Sequence, residues 1–236
     1  FRLFKFIRIK RLIGHNLQRN NFVMDILILA AGYGKRMGDL TKATPKPLLP
    51  FKEKNLLSYA LEIAEAIPAK DIHVNVHYQS NQIIKFINTN FPQVKISDES
   101  KQILNTGGGI KKVLTQSQDL LILNSDNYWN FNILPDLKLG IDFFNRNTNI
   151  TNLLFTHSNK EDFDLHLDTN KQIIIPSSHH NTQFQGCHII RSHSLKNYSN
   201  IFPIQDQWKQ ASINQTIYGF SCKTSVTHLG TKELYL

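Results

Sequence analysis

The sequence predicts an α/β fold of Rossmann-like, three-layer α/β/α type, with a mixed but mostly parallel central sheet. One observation is a pair of continuous apolar runs, DILILA (25–30) and DLLILNSD (119–126), which are typical of strands buried on both faces. The other is the alternation of such runs with amphipathic helical segments, as in βαβ units. A chain of 236 residues is long enough for one such core.

The remaining elements follow in the same alternating order. Apolar residues at helical spacing predict a helix at 55–67, which ends before a proline, and a second helix at 80–90, which a serine caps. DIHVNV (71–76) between them is predicted to be a strand. In the second half, shorter strands are predicted at 150–156, 163–167, 171–175, 182–190 and 216–221, and helices near 133–146 and 204–211. These segments are expected to complete the mixed sheet and to form a substrate-facing lobe.

The positive charge is concentrated at the amino-terminal end. Residues 1–23 hold six Arg and Lys residues and no acidic residue, so they contribute +6 of the net charge of +9. The rest carries only about +3, which argues against a nucleic-acid-binding body. We interpret residues 1–23 as a basic extension outside the core, upstream of a start at Met24, with an amphipathic membrane-surface or targeting element as the alternative. Residues 24–236 are expected to form the domain.

Composition argues against several other classes of protein. No run approaches the roughly 20 apolar residues of a membrane span, so no integral membrane contact is expected. Cys187 and Cys222 lack CxxC spacing, and we expect them to be buried thiols in a reducing cytoplasm. The histidines between residues 179 and 193 match no zinc-ligand spacing.

A glycine-rich, basic loop follows the first predicted strand, in LAAGYGKRMGDLTKATPKPLLP (29–50). Open α/β sheets bind ligands beyond the carboxyl ends of their strands, which is where this loop begins. Its GxGxxxG spacing matches neither the dinucleotide fingerprint nor the GxxxxGK[ST] phosphate loop. Glycine amides and the cations Lys35, Arg36 and Lys46 are nevertheless well suited to phosphate oxygens. The loop is therefore predicted to be a phosphate site, with the prolines beside Lys46 aiming its ammonium group.

This loop resembles the signature of the sugar-1-phosphate nucleotidyltransferases, LAAGxGxRMxxLTxxxPKPL. The resemblance continues through VNVHYQSNQI (74–83), SDESKQILNTGGGIKK (97–112) and LNSDNYW (123–129), and it ends in THLGTKEL near the carboxyl terminus. The short bacterial mannose-1-phosphate guanylyltransferases and N-acetylmuramate-1-phosphate uridylyltransferases look most similar. The resemblance implies the nucleotidyltransferase fold and a cytoplasmic transferase. Such an enzyme moves a nucleoside monophosphate from a nucleoside triphosphate, UTP or GTP above all, to a sugar 1-phosphate for cell-envelope or peptidoglycan metabolism.

The resemblance also implies roles for individual residues. Arg36, Lys46 and Asp126 would be catalytic, with Asp126 holding Mg²⁺, or Mn²⁺ as the alternative. Nucleotide binding would fall to Ala31, Gly32, Gly34, Lys35, Glu99, Gly107 and Gly108. The glycines at 107–109 would let the base lie directly on the backbone, and Glu99 would orient that loop. Asp162 and Gly186 would contact the sugar.

One position departs from the family pattern. The second metal ligand of the family is the Asp of W-x-D-x-G-T, where this sequence has Val226 and His228 in place of Trp and Asp. Magnesium prefers oxygen to imidazole, so either Asp126 carries the metal mostly alone with water or Mn²⁺ is tolerated at Asp126 and His228.

Two other functions are left open by these residues. The departures at positions 226 and 228 favour a non-catalytic nucleotide-sugar-binding homologue. A molybdenum-cofactor guanylyltransferase-like enzyme is the other alternative. Those enzymes place their lysine closer to the glycine loop than the eight residues that separate Gly38 from Lys46.

Overall fold

A computed structural model describes residues 24–114, 119–158 and 163–236. The extension 1–23 and the predicted sugar ligand Asp162 lie outside the described residues. The strands are β1 (Asp25–Leu29), β2 (Pro50–Phe51), β3 (Lys54–Asn55), β4 (Ile72–Val76), β5 (Lys95–Asp98), β6 (Asp119–Asn124), β7 (Asn127–Tyr128), β8 (Asn152–His157), β9 (His166–Leu167), β10 (Ile173–Ile174), β11 (Gln183–Arg191), β12 (Ile217–Ser221) and β13 (Thr227–His228). The α-helices are α1 (Leu56–Glu65), α2 (Ser80–Asn90), α3 (Asn105–Leu114), α4 (Leu134–Arg146), α5 (Ile204–Ile213) and α6 (Lys232–Tyr235). Short 3₁₀ helices span Lys35–Thr41, Lys46–Leu48, Phe131–Ile133 and Ser192–Leu195.

Seven strands form one central sheet in the order β12-β8-β11-β6-β1-β4-β5. β11 runs antiparallel to β6 and to β8, and the other neighbouring pairs are parallel. The predicted mixed, mostly parallel sheet is thereby confirmed. Leu29 pairs with Asn75 of β4 on one side and with Asn124 of β6 on the other, so three parallel strands end together. This shared edge is where a ligand site is expected.

Helices cover both faces of the sheet, which gives the three predicted layers. Side chains alternate along a strand, so Ile26 and Ile28 face one layer and Leu27 the other. Ile26 and Ile28 belong to a buried apolar cluster with residues of α1, α2 and α4. Leu27 belongs to a second cluster with residues of α3 and α5. The continuous apolar sequence of β1 follows from this burial on both sides.

Most predicted elements are present, with shifted ends. The strand predicted at 119–126 ends at Asn124, because Ser125 and Asp126 turn away from the sheet. The helix predicted at 55–67 spans 56–65, and its cap is Asn55, whose Oδ1 accepts the Ser58 amide at 2.8 Å. The strand β5 was not predicted, because only one of its four residues is fully buried and its apolar pattern is weak.

The described residues also bear on two expectations from composition. None of the helices in the described part of the chain combines the length and apolar character of a bilayer-spanning segment. Cys187 and Cys222 are both buried and free, as expected. Burial raises the pKa of the Cys222 thiol to about 12, so this thiol stays protonated.

Candidate active site

A cavity of about 580 Å³ opens at the carboxyl ends of β1 and β6. The predicted site residues that line it are Ala31, Gly32, Gly34, Lys35, Arg36, Lys46, Glu99 and Asp126. The glycine-rich loop and the turn after β6 meet here because β1 and β6 are neighbours in register. Gly107, Gly108, Gly186 and His228 are absent from the lining of this cavity.

The glycine-rich loop folds as a tight turn into the 3₁₀ helix 35–41. Gly34 precedes this helix in the left-handed conformation, with φ of 66°. A Cβ there would lie 3.0 Å from Cγ2 of Thr41, whose hydroxyl donates to the Gly34 carbonyl. A Cβ at Gly32, by contrast, would meet nothing within 4 Å. Gly34 is thus required by the backbone, whereas Gly32 leaves space on the cavity side.

Lys46 lies buried between the turn after β6 and the turn after β13. Its Nζ donates to Oδ2 of Asp126 at 2.7 Å and to the Gly230 carbonyl at 3.1 Å. The side chain of Lys46 is 9% exposed and that of Asp126 22% exposed. The prolines on either side restrict the backbone of Lys46, which forms the first residue of a 3₁₀ helix. The ammonium group is therefore held at a fixed point on the cavity wall.

Asp126 is held in its ionised form. Burial raises the pKa of this carboxyl, but the charges of Lys46, His228 and Arg36 and the hydrogen bond from Lys46 outweigh it, so the pKa lies below its usual value. The cavity is thus lined by two carboxylates, those of Asp126 and Glu99, and by three cations, Lys35, Arg36 and Lys46. This balance favours an anionic ligand accompanied by a cation.

His228 lies close to Asp126 because β7 and β13 form a short antiparallel ladder. Asn127 pairs with His228, and the Leu229 amide donates to the Asp126 carbonyl at 3.0 Å. Burial lowers the pKa of His228, which keeps the imidazole neutral near pH 7. A carboxylate and a neutral imidazole form a donor set that suits Mn²⁺ better than Mg²⁺. Of the two, only Asp126 lines the cavity as a ligand for a divalent cation, because Nε2 of His228 faces Gly230, where a Cβ would lie 2.0 Å from it.

Another group of potential ligands lies at the opposite edge of the sheet. Within the described ranges, Asp25, Asp71 and His73 bring their donor atoms within 4.8 Å of one another, at the amino ends of β1 and β4. Lys95 lies 2.7 Å from the Asp71 carboxylate and already supplies a positive charge. This group is separate from the glycine-rich loop and was not predicted.

Glu99 organises two loops that border the cavity. Its Oε1 accepts from Nδ2 of Asn75 at 2.8 Å, and its Oε2 accepts from the Leu104 amide at 3.1 Å. Asn75 in turn accepts the Ala30 amide at 2.7 Å. The glycine-rich loop and the turn before α3 are thereby tied through two buried side chains. Sequence reasoning missed Asn75, although a polar residue inside the apolar strand β4 was the available signal.

The glycines in the first turn of α3 have a structural reason that differs from the expected one. A Cβ at Gly107 would lie 2.4 Å from the Phe202 ring, and a Cβ at Gly108 would lie 2.2 Å from the carbonyl oxygen of Asn200. The amide of Gly107 also donates to the Phe202 carbonyl at 3.0 Å. The space expected to admit a nucleobase at these two residues is thus filled by the segment 200–202. In this region the cavity is lined by Ile103 and by the first two residues of α3, Asn105 and Thr106.

Gly186, predicted to contact the sugar, lies in β11 with φ of 70°. A Cβ there would lie 2.2 Å from Nδ2 of Asn127. Its small size is therefore explained by contact with Asn127 within the protein.

Aromatic side chains that sequence reasoning did not single out border the same cavity. Tyr33, between two loop glycines, is 41% exposed, and its hydroxyl is 3.1 Å from Nε2 of His77. On another part of the wall, the rings of Phe184 and His188 both pack edge-on against Trp208, with centroids 5.4 and 5.3 Å apart. Phe184 and Trp208 come from β11 and α5, and their proximity depends on a long-range packing that periodicity does not reveal.

In a comparison with known proteins, residues 26–130 match the model of the MobA-like NTP transferase domain. The chain is 34% identical over 110 residues to the N-acetylmuramate α-1-phosphate uridylyltransferase of Caulobacter vibrioides, covering 44% of this chain and 46% of that protein. It is 30% identical over 119 residues to the D-glycero-α-D-manno-heptose 1-phosphate guanylyltransferase of Campylobacter jejuni, covering 50% and 53%. The alignments thus span about half the length of these relatives. Residues 26–130 match the model of an NTP transferase domain, and the resemblance found in the sequence is confirmed.

Solved structures extend the similarity of fold beyond these residues. HddC from Yersinia pseudotuberculosis has a TM-score of 0.71 at 20% identity, covering 90% of this chain and 96% of that one. The inositol-1-phosphate CTP transferase from T. maritima has a TM-score of 0.72 at 14% identity, covering 90% and 91%. The nucleotidyltransferase fold is therefore shared by the second half of the chain as well.

Proposed function

We propose that this chain, whose residues 26–130 carry the NTP transferase domain, transfers a nucleoside monophosphate from a nucleoside triphosphate to a sugar 1-phosphate. The observation that carries the proposal is the contact between Lys46 and Asp126 in a cavity bordered by the glycine-rich loop. It brings a fixed cation, a fixed carboxylate and the backbone amides of the glycine-rich loop to one place. Phosphoryl transfer needs positioning and charge neutralisation more than covalent catalysis, and these groups supply both.

The reaction requires one bond to form and one to break. A phosphate oxygen of the sugar 1-phosphate attacks the α-phosphorus of the nucleoside triphosphate, and the bond from that phosphorus to the β-phosphate bridging oxygen breaks. Pyrophosphate leaves with the electron pair. The ammonium of Lys46 and the guanidinium of Arg36 stabilise the negative charge that accumulates on the phosphoryl oxygens.

Asp126 is the residue that would hold a divalent cation in this cavity. Bound there, the cation would supply Lewis-acid neutralisation of phosphate charge. Asp126 also holds Lys46 in place through the 2.7 Å contact, so one carboxylate would serve both the cation and Lys46. Mg²⁺ suits the carboxylate of Asp126, and Mn²⁺ is the alternative.

The aromatic wall supports binding of the sugar part of the acceptor. Phe184, His188 and Trp208 present apolar ring surface on the same cavity as the phosphate-binding loop. Burial lowers the pKa of His188 to about 3, so this wall is neutral at physiological pH. A neutral, aromatic wall suits a hexose ring better than it suits a second phosphate. UTP and GTP are the proposed donors, since a uridylyltransferase and a guanylyltransferase are among the relatives.

Release of pyrophosphate by the purified protein tests the proposal. UTP, GTP, CTP and dTTP are each combined with N-acetylmuramate 1-phosphate, mannose 1-phosphate, a heptose 1-phosphate and glucose 1-phosphate, in Mg²⁺ and in Mn²⁺. Release that depends on both one nucleotide and one sugar phosphate supports the proposal. Nucleotide binding without release from any pair supports the non-catalytic homologue, which His228 in place of Asp favours.

A further inference from the structure

The ring of Tyr33 forms an open part of the cavity wall. Tyr33 lies between Gly32 and Gly34 of the glycine-rich loop, lines the cavity and is 41% exposed. Single exposed aromatic side chains are common on protein surfaces, but this one borders a cavity and has its hydroxyl group held by the protein. Both features are those of a ring that is ready to pack against a ligand.

His77 fixes the hydroxyl end of Tyr33. The Nδ1 atom of His77 lies 2.7 Å from the backbone carbonyl of Glu99, which only accepts hydrogen bonds, so Nδ1 must be the N–H donor. In a neutral imidazole the Nε2 atom then accepts, and the Tyr33 hydroxyl, 3.1 Å away, donates to it. The two rings meet edge-on, with centroids 5.3 Å apart. The Tyr33 ring is therefore oriented before any ligand binds.

The same network connects Tyr33 to the segment that follows β5. Asn75, two residues before His77, accepts the Ala30 amide and donates to the Glu99 carboxylate. The beginning and the tip of the glycine-rich loop are thus both tied to Glu99, which also accepts the Leu104 amide. Residues 103, 105 and 106 line the cavity just beyond this point. The Tyr33 ring and this segment therefore belong to one connected wall.

A phosphate-binding cation lies beside the ring. The Nζ atom of Lys35 is 5.4 Å from the centroid of the Tyr33 ring, and both residues line the cavity. Lys35 is exposed and has a flexible stem, so its ammonium group can move from the ring to a phosphate oxygen. A planar aromatic surface next to phosphate-binding groups matches a nucleotide, in which a planar base is joined to a chain of phosphates.

We propose that Tyr33 is a nucleotide-binding residue whose ring, oriented by His77, stacks on the base of the nucleoside triphosphate. The inference rests on the proposed function for the identity of the ligand, and it gives the base a place other than Gly107 and Gly108, where the segment 200–202 fills the space. Stacking is tolerant of the base because every base has a π face. Tyr33 thus contributes affinity for UTP and GTP alike, and the choice between them falls to polar groups such as Asn105 and Thr106.

Calorimetric titration with UTP, GTP and inorganic tripolyphosphate, each in Mg²⁺, separates the base from the phosphates. We expect Tyr33→Ala to bind both nucleotides roughly 10–100-fold more weakly, with the affinity for tripolyphosphate nearly unchanged. Tyr33→Phe keeps the ring and should bind nucleotides almost as well as wild type. Phe131→Ala removes a ring that is 38% exposed and absent from the cavity lining, and it should equal wild type.

Nuclear Overhauser effects between the base protons of bound UTP and tyrosine ring protons supply a second readout. We expect such effects in wild type, assigned to Tyr33 by their loss in Tyr33→Phe, and their absence would overturn the inference without reliance on a loss of affinity. Equal nucleotide affinity in wild type and Tyr33→Ala overturns it too, and so does an equal loss of nucleotide and tripolyphosphate affinity, which would indicate a damaged loop. Neither measurement uses turnover, so these results without pyrophosphate release from any substrate pair would contradict the proposed function alone.

Discussion

The Nζ atom of Lys46 lies 2.7 Å from Oδ2 of Asp126, although 80 residues separate them in the sequence. One residue comes from the end of the glycine-rich loop and the other from the turn after β6. The register of β1 against β6 brings these two turns together, and the remaining hydrogen bond of Lys46 goes to Gly230. The catalytic assignment of both residues stays a prediction. It can be tested by a substitution that removes the charge of the side chain and keeps its size and shape.

Asp126→Asn should abolish turnover while the protein stays folded. The amide oxygen can still accept from Lys46, but the negative charge that would bind a cation is gone. We expect the rate of pyrophosphate release to fall at least roughly 10²–10³-fold, with a small change in thermal unfolding. Asp39→Asn is the matched control, because Asp39 is an exposed carboxylate on the glycine-rich loop that pairs with Lys42. Equal rates for Asp126→Asn and wild type would contradict the assignment.

Gly34→Ala and Gly32→Ala should separate stability from ligand binding. The left-handed backbone of Gly34 and the 3.0 Å approach to Thr41 should make Gly34→Ala about 1–2 kcal/mol less stable. Gly32→Ala has open space and should change stability by less than about 0.5 kcal/mol, yet weaken nucleotide binding. Denaturant unfolding and nucleotide titration measure the two effects. A free energy of unfolding equal to wild type in Gly34→Ala would contradict the requirement for glycine at this position.

Gly107→Ala and Gly108→Ala should both destabilise the chain, by about 1–3 kcal/mol, because each new methyl overlaps a packed neighbour. The neighbour of Gly107 is the Phe202 ring, so Phe202→Ala should partly restore the stability of Gly107→Ala. The neighbour of Gly108 is the backbone carbonyl of Asn200, which no side-chain change can remove. Denaturant unfolding of the single and double variants checks this difference. Full stability in Gly107→Ala would instead return this position to the predicted role of leaving room for a ligand.

Stability should depend on pH through His188. Burial lowers the pKa of this imidazole to about 3, whereas the unfolded chain has the ordinary value of 6.5. Between these values the unfolded state binds a proton that the folded state does not, so the folded state loses stability as pH falls from 6.5 towards 3. The loss from this group approaches about 1.4 kcal/mol per pH unit. His188→Phe removes this group, so its free energy of unfolding should fall less steeply with acid. Parallel curves for the two proteins would contradict a buried, neutral His188.

Local sequence patterns predicted the fold well for strands that are buried on both faces of the sheet and for helices that have one apolar face. The strands β1, β4 and β6 and the helix α2 were identified from such patterns, and so was the edge of the sheet where their loops meet. The glycine-rich loop with Lys46 and the turn with Asp126 were singled out because they follow buried strands and match the family pattern, and their roles stay predictions.

Contacts between distant segments could not be predicted in the same way. The segment 200–202 fills the space beside Gly107 and Gly108, and nothing in the local sequence of either segment indicates the other. Asn127 was not predicted to matter for the same reason, because its hydrogen-bond partners, His228 and the Gln185 carbonyl of β11, are distant in the sequence. The glycine at 186 was assigned to the sugar because only the structure reveals the side chain that it accommodates.

Identification of the product tests the central claim most directly. The chain is incubated with Mn²⁺, one nucleoside triphosphate and one sugar 1-phosphate, and the products are identified by ³¹P NMR and mass spectrometry. The account predicts a nucleotide sugar and pyrophosphate in equal amounts, formed by wild type and absent with Asp126→Asn. Nucleoside monophosphate formed without incorporation of the sugar, or the same product from wild type and Asp126→Asn, would contradict it.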